Sequence, residues 1–135
     1  MVIHHVGFLT KNLKKSESEF LDLGFEIEKE AKFDHIRKVN ISFLINNGYR
    51  VELIEPVGKD SPLYPLLKHY KNTPYHFCYE SENIDSDMRV LSEKGFFIMQ
   101  KPEIAPCLDN LHVCFLMGRN SGIIELVDKQ TNIND

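Results

Sequence analysis

Residues 3–9 (IHHVGFL) are apolar apart from two histidines and run into Thr10-Lys11-Asn12, which predicts a short strand, buried on at least one face, followed by a turn. Over 13–23, Leu13, Phe20, Leu21 and Leu23 recur among lysines, glutamates and serines, a helical pattern that Gly24 stops. Residues 25–30 and 39–44 read as strands. Asn46-Asn47-Gly48 supplies residues that tolerate the positive φ of a tight turn, and 49–54 returns as the hairpin partner. The order is βαβββ.

A different texture follows. Pro56, Gly58 and Asp60-Ser61-Pro62 mark a loop, and 63–70 predicts a short amphipathic helix with Ser61 as its cap and Pro62 in its first turn. The βαβββ order then returns, with a strand at 75–80, a helix over 84–94, a stop at Gly95, and strands near 96–100, 111–117 and 122–127. Residues 101–110, which hold Pro102 and Pro106, form the longest loop of this half, and 105–110 lies where either a substrate-covering loop or an ordinary connection would sit. The expected organisation is a first module over 1–57, a linker over 58–73, a second module over 74–129 and a frayed tail over 130–135. At 135 residues, each half is too small to be stable alone, so the two should fold as one structural domain.

The halves match residue by residue. His5 falls on His76, an offset of 71, and the same offset takes Asn12 to Asn83 and Gly24-Phe25 to Gly95-Phe96. With a slip of one residue, 40–44 falls on 112–116; with one more, Val51-Glu52-Leu53-Ile54 falls on Ile124-Glu125-Leu126-Val127. Each half opens with a histidine and closes with a glutamate.

Composition narrows the function. A net charge of −4 without clustered Lys and Arg argues against nucleic-acid binding; Lys14-Lys15 and Arg37-Lys38 read as solvated faces. Three cysteines, Cys78, Cys107 and Cys114, are an odd number without CxxC spacing, which suggests neither a disulfide framework nor a thiolate zinc site. There is no signal-like N-terminus and no apolar run long enough for a bilayer, so the expectation is a cytoplasmic protein with reduced thiols and no membrane association. The sheet edges that such modules leave open suggest a homodimer.

Strand alternation places His5, Gly7 and Leu9 on one side and groups Glu52 with Ile54. A glutamate between Val51 and Leu53, and another between Ile124 and Leu126, would be costly on a buried face unless paired or bound to a cation. If corresponding strands pair into one curved sheet, His5, Glu52, His76 and Glu125 meet at a common point. Neutral imidazoles with carboxylates suit one divalent metal per chain, such as Ni, Co, Zn or Mn. His5 is preferred to His4 because only His5 matches His76 and has the inward parity. His35, His69 and His112 have no histidine partner in the repeat and are expected at the surface or a rim.

These residues resemble the vicinal oxygen chelate superfamily, which groups glyoxalases, bleomycin resistance proteins and dioxygenases, over nearly the whole chain from Ile3 to Lys129. The run from Val51-Glu52-Leu53-Ile54-Glu55-Pro56 to Leu63, followed by Tyr75-His76-Phe77-Cys78-Tyr79-Glu80, is similar to methylmalonyl-CoA epimerases, and the His, Glu, His, Glu set resembles that of bacterial glyoxalase I. The resemblance implies an α+β fold of two βαβββ modules in a curved, cup-shaped mixed sheet around a metal. It also implies a lyase or isomerase that removes a proton beside a carbonyl or thioester through a metal-stabilised enolate. Glu125 is then a ligand that doubles as base, and Glu52 its mate for the opposite face. Epimerases of this kind carry a further acid just before the strand at 39–44, where only Asp34 is near; glyoxalase I holds the glutathione carboxylates with basic and polar side chains, for which Arg37 is the candidate here. A small-molecule binding or resistance protein and a dioxygenase are the other functions the superfamily implies.

Overall fold

In the computed structural model, residues 1–130 are described; most of the tail expected to fray lies outside them. The elements run β1 (Ile3–Leu9), α1 (Leu13–Asp22), β2 (Glu26–Asp34), β3 (Val39–Asn46), β4 (Tyr49–Pro56), α2 (Leu66–Tyr70), β5 (Thr73–Ser81), α3 (Ile84–Glu93), β6 (Phe97–Ala105), β7 (Leu111–Gly118) and β8 (Gly122–Asp128). This is the α+β arrangement of two βαβββ modules, in an eight-stranded mixed sheet of order β2-β3-β4-β1-β5-β8-β7-β6. β1 runs parallel to β4 and β5 parallel to β8; the remaining registered pairs are antiparallel.

Two compact units divide the chain, and the division cuts through β1 and β5: one unit is His5–His76, the other Met1–His4 with the residues from Phe77 onward. In the first unit Leu13, Leu44 and Leu53 are buried, with Phe8, Phe20, Phe25, Ile27 and Val51 packed on them. Phe20 meets Phe8 and Phe25 edge-on, at 5.2 and 5.1 Å between centroids. The second unit repeats the arrangement with Ile84, Cys114, Leu116, Ile124 and Leu126 under Tyr79, Met88, Leu91, Phe96 and Ile98. Each leucine so buried contributes roughly 1.5–3 kcal/mol.

Local chemistry repeats as well. Asn12 caps α1 by accepting from the Lys15 amide, and Asn83 caps α3 by accepting from the Ser86 amide, both at 3.0 Å. Both helices end in a Schellman motif: the Phe25 amide donates to the Phe20 carbonyl across Gly24, and the Phe96 amide to the Leu91 carbonyl across Gly95. These glycines have φ of 100° and 102°, where a Cβ would be strained.

Two expectations need correction. The loop foreseen over 101–110 is mostly structured: β6 continues to Ala105, and Pro106–Leu108 forms a 3-10 turn with Cys107 and Leu108 buried. Pro102 is tolerated because β6 ends the strand order and carries a register shift between Gln100 and Glu103, so the missing amide costs no ladder bond. Ser61, expected to cap the linker helix, instead donates to the Arg37 carbonyl at 2.7 Å and accepts from the Leu63 amide. α2 starts only at Leu66, with no side-chain cap, because the Ser61 hydroxyl is committed to the turn between β2 and β3.

Candidate metal centre

Parity along β1 buries His5, Gly7 and Leu9 and leaves His4, Val6 and Phe8 partly exposed, so His5 rather than His4 points inward. Glu52 on β4 lies opposite Gly7 on β1 and opposite Phe43 on β3. Within the unit His5–His76 this brings three side chains together. The His5 Nε2 stands 3.3 Å from the Glu52 Oε1 and 3.3 Å from the His76 Nε2, and the His76 Nε2 is 3.8 Å from the same carboxylate oxygen. All three residues are 4% exposed or less.

The packing around them is specific. A methyl group at position 7 would overlap the His76 imidazole, so the ring reaches the group only because residue 7 is glycine. The Tyr75 ring meets His76 edge-on at 4.5 Å, and Phe43 meets His5 edge-on at 5.6 Å. Neither Gly7 nor these aromatics stood out in the sequence as site residues. The repeat could not flag Gly7, because its counterpart is Cys78.

Glu125 belongs to the other unit, on β8, and is also 4% exposed. It lies opposite Cys78 on β5 and Phe115 on β7. Those are the repeat counterparts of Gly7 and Phe43, so Glu125 holds in its unit the register that Glu52 holds in the first.

The donor set fits a divalent cation. Ligands about 2.0–2.2 Å from a metal are separated from one another by roughly 3–3.5 Å, close to the spacings found here. A buried carboxylate beside two imidazoles is otherwise a costly arrangement, and a cation offsets the cost.

The remaining candidates lie elsewhere. His35, His69 and His112 are exposed, and the His112 Nδ1 lies 3.3 Å from the Asp128 carboxylate. Asp34 is buried, but its carboxylate accepts from the Ile36 and Arg37 amides and from the Arg37 guanidinium at 2.9–3.1 Å, which makes it the organiser of the β2–β3 turn. Cys78, Cys107 and Cys114 are buried, and none of them is in a disulfide among the described residues. Burial, and secondarily the charge of Glu125, pushes the Cys114 thiol up to about 12.

The family model for the glyoxalase/bleomycin resistance protein/dioxygenase superfamily matches residues 4–120. The chain belongs to that superfamily. Among its relatives, the mitochondrial methylmalonyl-CoA epimerase of Bos taurus is 28% identical over 101 residues, 73% of this chain and 57% of that protein. The ethylmalonyl-CoA/methylmalonyl-CoA epimerase of Cereibacter sphaeroides is 27% identical over 104 residues, 75% of this chain and 76% of its own length. The chain thus spans little more than half the length of the mammalian relative. Among solved structures, a Streptomyces coelicolor methylmalonyl-CoA epimerase in complex with 2-nitronate-propionyl-CoA matches with a TM-score of 0.82 at 20% identity, covering 97% of this chain and 96% of that one. Among the described residues no helix is long and apolar enough to cross a membrane.

Proposed function

We propose that the protein is a metal-dependent acyl-CoA epimerase that removes and returns a proton on the carbon beside a thioester carbonyl. The observation that carries this reading is the buried group of His5, Glu52 and His76, with Nε2 and Oε1 atoms 3.3–3.8 Å apart, in a chain similar to methylmalonyl-CoA epimerases. In this reading His5, Glu52, His76 and Glu125 hold one divalent ion, such as Ni, Co, Zn or Mn. Support for Glu125 as the fourth ligand comes from its burial and its register equivalence with Glu52.

When bound, the ion supplies Lewis-acid stabilisation of the negative charge that develops on oxygen beside the reacting carbon. His5 and His76 would be its imidazole donors, each confined by an aromatic edge. Glu125 takes the proton from one face of the substrate carbon, and Glu52 returns one from the other; inversion needs a proton carrier on each side of a planar intermediate. Both carboxylates are buried, each 4% exposed.

A glyoxalase I-type lyase is the second reading, favoured by one observation. Asp34 is the acid in the segment that leads into β3, and its three hydrogen bonds occupy it structurally, so it is not available as the extra acid of the epimerase pattern. A lyase moves one proton between neighbouring carbons and needs only one of the two glutamates. A homodimer in a reducing cytoplasm is part of the reading; exposed Val2, Ile3 and Phe77, and three cysteines outside any disulfide, support it.

The deciding experiment follows solvent deuterium incorporation with the Ni, Co, Zn and Mn forms, offering a 2-methyl-branched acyl-CoA and a methylglyoxal hemithioacetal. Exchange into the acyl-CoA, lost in Glu125→Gln, is expected. Turnover of the hemithioacetal alone selects the lyase. Failure to take up about one metal per chain overturns both.

A further inference from the structure

Five of the chain's lysines fall in two short runs that hold no acid, Lys11-Asn12-Leu13-Lys14-Lys15 and Lys68-His69-Tyr70-Lys71. Both runs belong to the unit His5–His76, and the fold joins them: the Lys11 amide donates to the Asn72 side chain at 2.9 Å, so the turn that opens α1 lies against the end of α2. All five lysines are exposed. The charge of Lys14 is felt by Glu17 on its own helix, but among the described residues no ion pair holds Lys11, Lys15, Lys68 or Lys71. Glu55, the acid beside the start of α1, is committed elsewhere: its carboxylate accepts from the Leu13 amide at 2.8 Å and from the Asn40 side chain at 3.0 Å. The repeat breaks at this corner, because at the offset of 71 Lys11, Lys14 and Lys15 correspond to Glu82, Asp85 and Ser86. Acids in the first turn suit the helix macrodipole, and α3 has them; α1 carries lysines there instead, at a cost to the helix. A local rule broken in one module and kept in the other marks a place where function outweighs stability. Tyr70, exposed within the second run, meets Tyr75 at 6.4 Å between ring centroids, and Tyr75 meets His76 edge-on at 4.5 Å. Two ring contacts therefore link the lysines to the candidate metal centre.

We propose that this corner is a binding site for the phosphorylated end of a nucleotide, with Lys11 and Lys71 on the phosphates, Lys15 and Lys68 flanking them, and Tyr70 under the base. Ammonium groups form charge-assisted hydrogen bonds with phosphate oxygens, and an exposed aromatic face stacks a base of any identity. Cations and ring together favour a nucleotide over an inorganic anion or an uncharged nucleoside. In a chain of net charge −4, the patch is a local reversal of sign that draws a polyanion to this corner and to no other part of the chain's average field. The site lies outside the His5, Glu52 and His76 group and stands whether or not the acyl-CoA reading holds: the nucleotide is either a free one or the far end of a thioester carrier, and the experiment separates the two.

The test is calorimetric titration of ADP and of inorganic pyrophosphate into the wild type, the double variant Lys11→Met/Lys71→Met, Tyr70→Ala, and a control double variant Lys94→Met/Arg119→Met that removes two exposed charges elsewhere. Lys11→Met/Lys71→Met should weaken both ligands roughly tenfold or more, and the control should leave both within about twofold. Tyr70→Ala should weaken ADP roughly tenfold and leave pyrophosphate within about twofold. No binding of ADP to the wild type overturns the proposal, as do equal losses in the two double variants, which would reduce the effect to overall charge. An unchanged ADP affinity in Tyr70→Ala overturns the nucleotide assignment. The source follows from steady-state kinetics of Lys11→Met/Lys71→Met with a 2-methyl-branched acyl-CoA and with the matching acyl-pantetheine, which lacks the nucleotide. A KM raised for the acyl-CoA over the acyl-pantetheine identifies the carrier's own nucleotide end, and no difference identifies a free nucleotide. If neither thioester is turned over by the wild type while ADP binds through Lys11 and Lys71, the acyl-CoA reading fails and the nucleotide site stands.

Discussion

Gly7 and His76 occupy one space: the imidazole of β5 fills the volume that a side chain on β1 would otherwise take. The glycine is thus a positioning residue for the candidate metal centre. Gly7→Ala must push the ring off its place beside His5 and Glu52. Metal affinity should fall about 10- to 100-fold, the range seen when support of a ligand is lost, while circular dichroism stays that of the wild type. Calorimetric titration with zinc checks both the direction and the size.

If His5, Glu52 and His76, buried with atoms 3.3–3.8 Å apart, hold the proposed cation, the folded protein is stabilised when that cation binds. At a free metal concentration 100 times the dissociation constant, binding should add about 2.7 kcal/mol. Scanning calorimetry with and without a chelator should show that loss as a lower Tm, and Glu52→Gln should shrink the difference between the two scans.

Asp34 separates structure from chemistry. With three donors on a buried carboxylate, Asp34→Ala should cost about 2–3 kcal/mol in urea denaturation. Deuterium exchange into substrate at a temperature where the variant is folded should persist within about tenfold of wild type, against the 10²–10⁴-fold loss typical of a removed acid or base. A loss of the larger size would make Asp34 the second acid.

The caps offer a check on the repeat itself. Asn12→Ala and Asn83→Ala should each destabilise by about 1 kcal/mol, and the double variant by about the sum, because the two caps share no partner. Denaturant midpoints at constant m-value measure this.

Cys114 carries a pH signature. Its thiol is raised from 9.0 to about 12 in the folded protein, so the folded state holds the proton where the unfolded chain has lost it. Stability from this group is complete below pH 9 and declines as pH rises from about 9 towards 12. Native protein should resist iodoacetamide at pH 8 at this cysteine, and Cys114→Ala should show a shallower alkaline loss of stability. Peptide mapping and urea titration across pH 8–11 test the two statements.

Much of this was legible in the chain because short-range rules govern it. Apolar alternation over residues 3–9 and 49–54, the Asn caps and the Gly24 and Gly95 stops act within a few residues, and the duplication checked each element against its counterpart. The spacing of 5, 52 and 76 singled out the three side chains that the fold brings within contact, because parity along a strand fixes the face. The same reasoning misjudged 101–110 and Ser61, whose states depend on partners far away: β7 gives β6 its ladder across a bulge, and the Arg37 carbonyl claims the serine hydroxyl. The sequence by itself determined the module order and the candidate ligands. Tertiary structure decided that Gly7 makes room for His76, that Asp34 is bound into a turn, and that Lys11 stands against Asn72, which joins two runs of lysine. Those are questions of which atoms occupy a shared volume, and no local pattern encodes them.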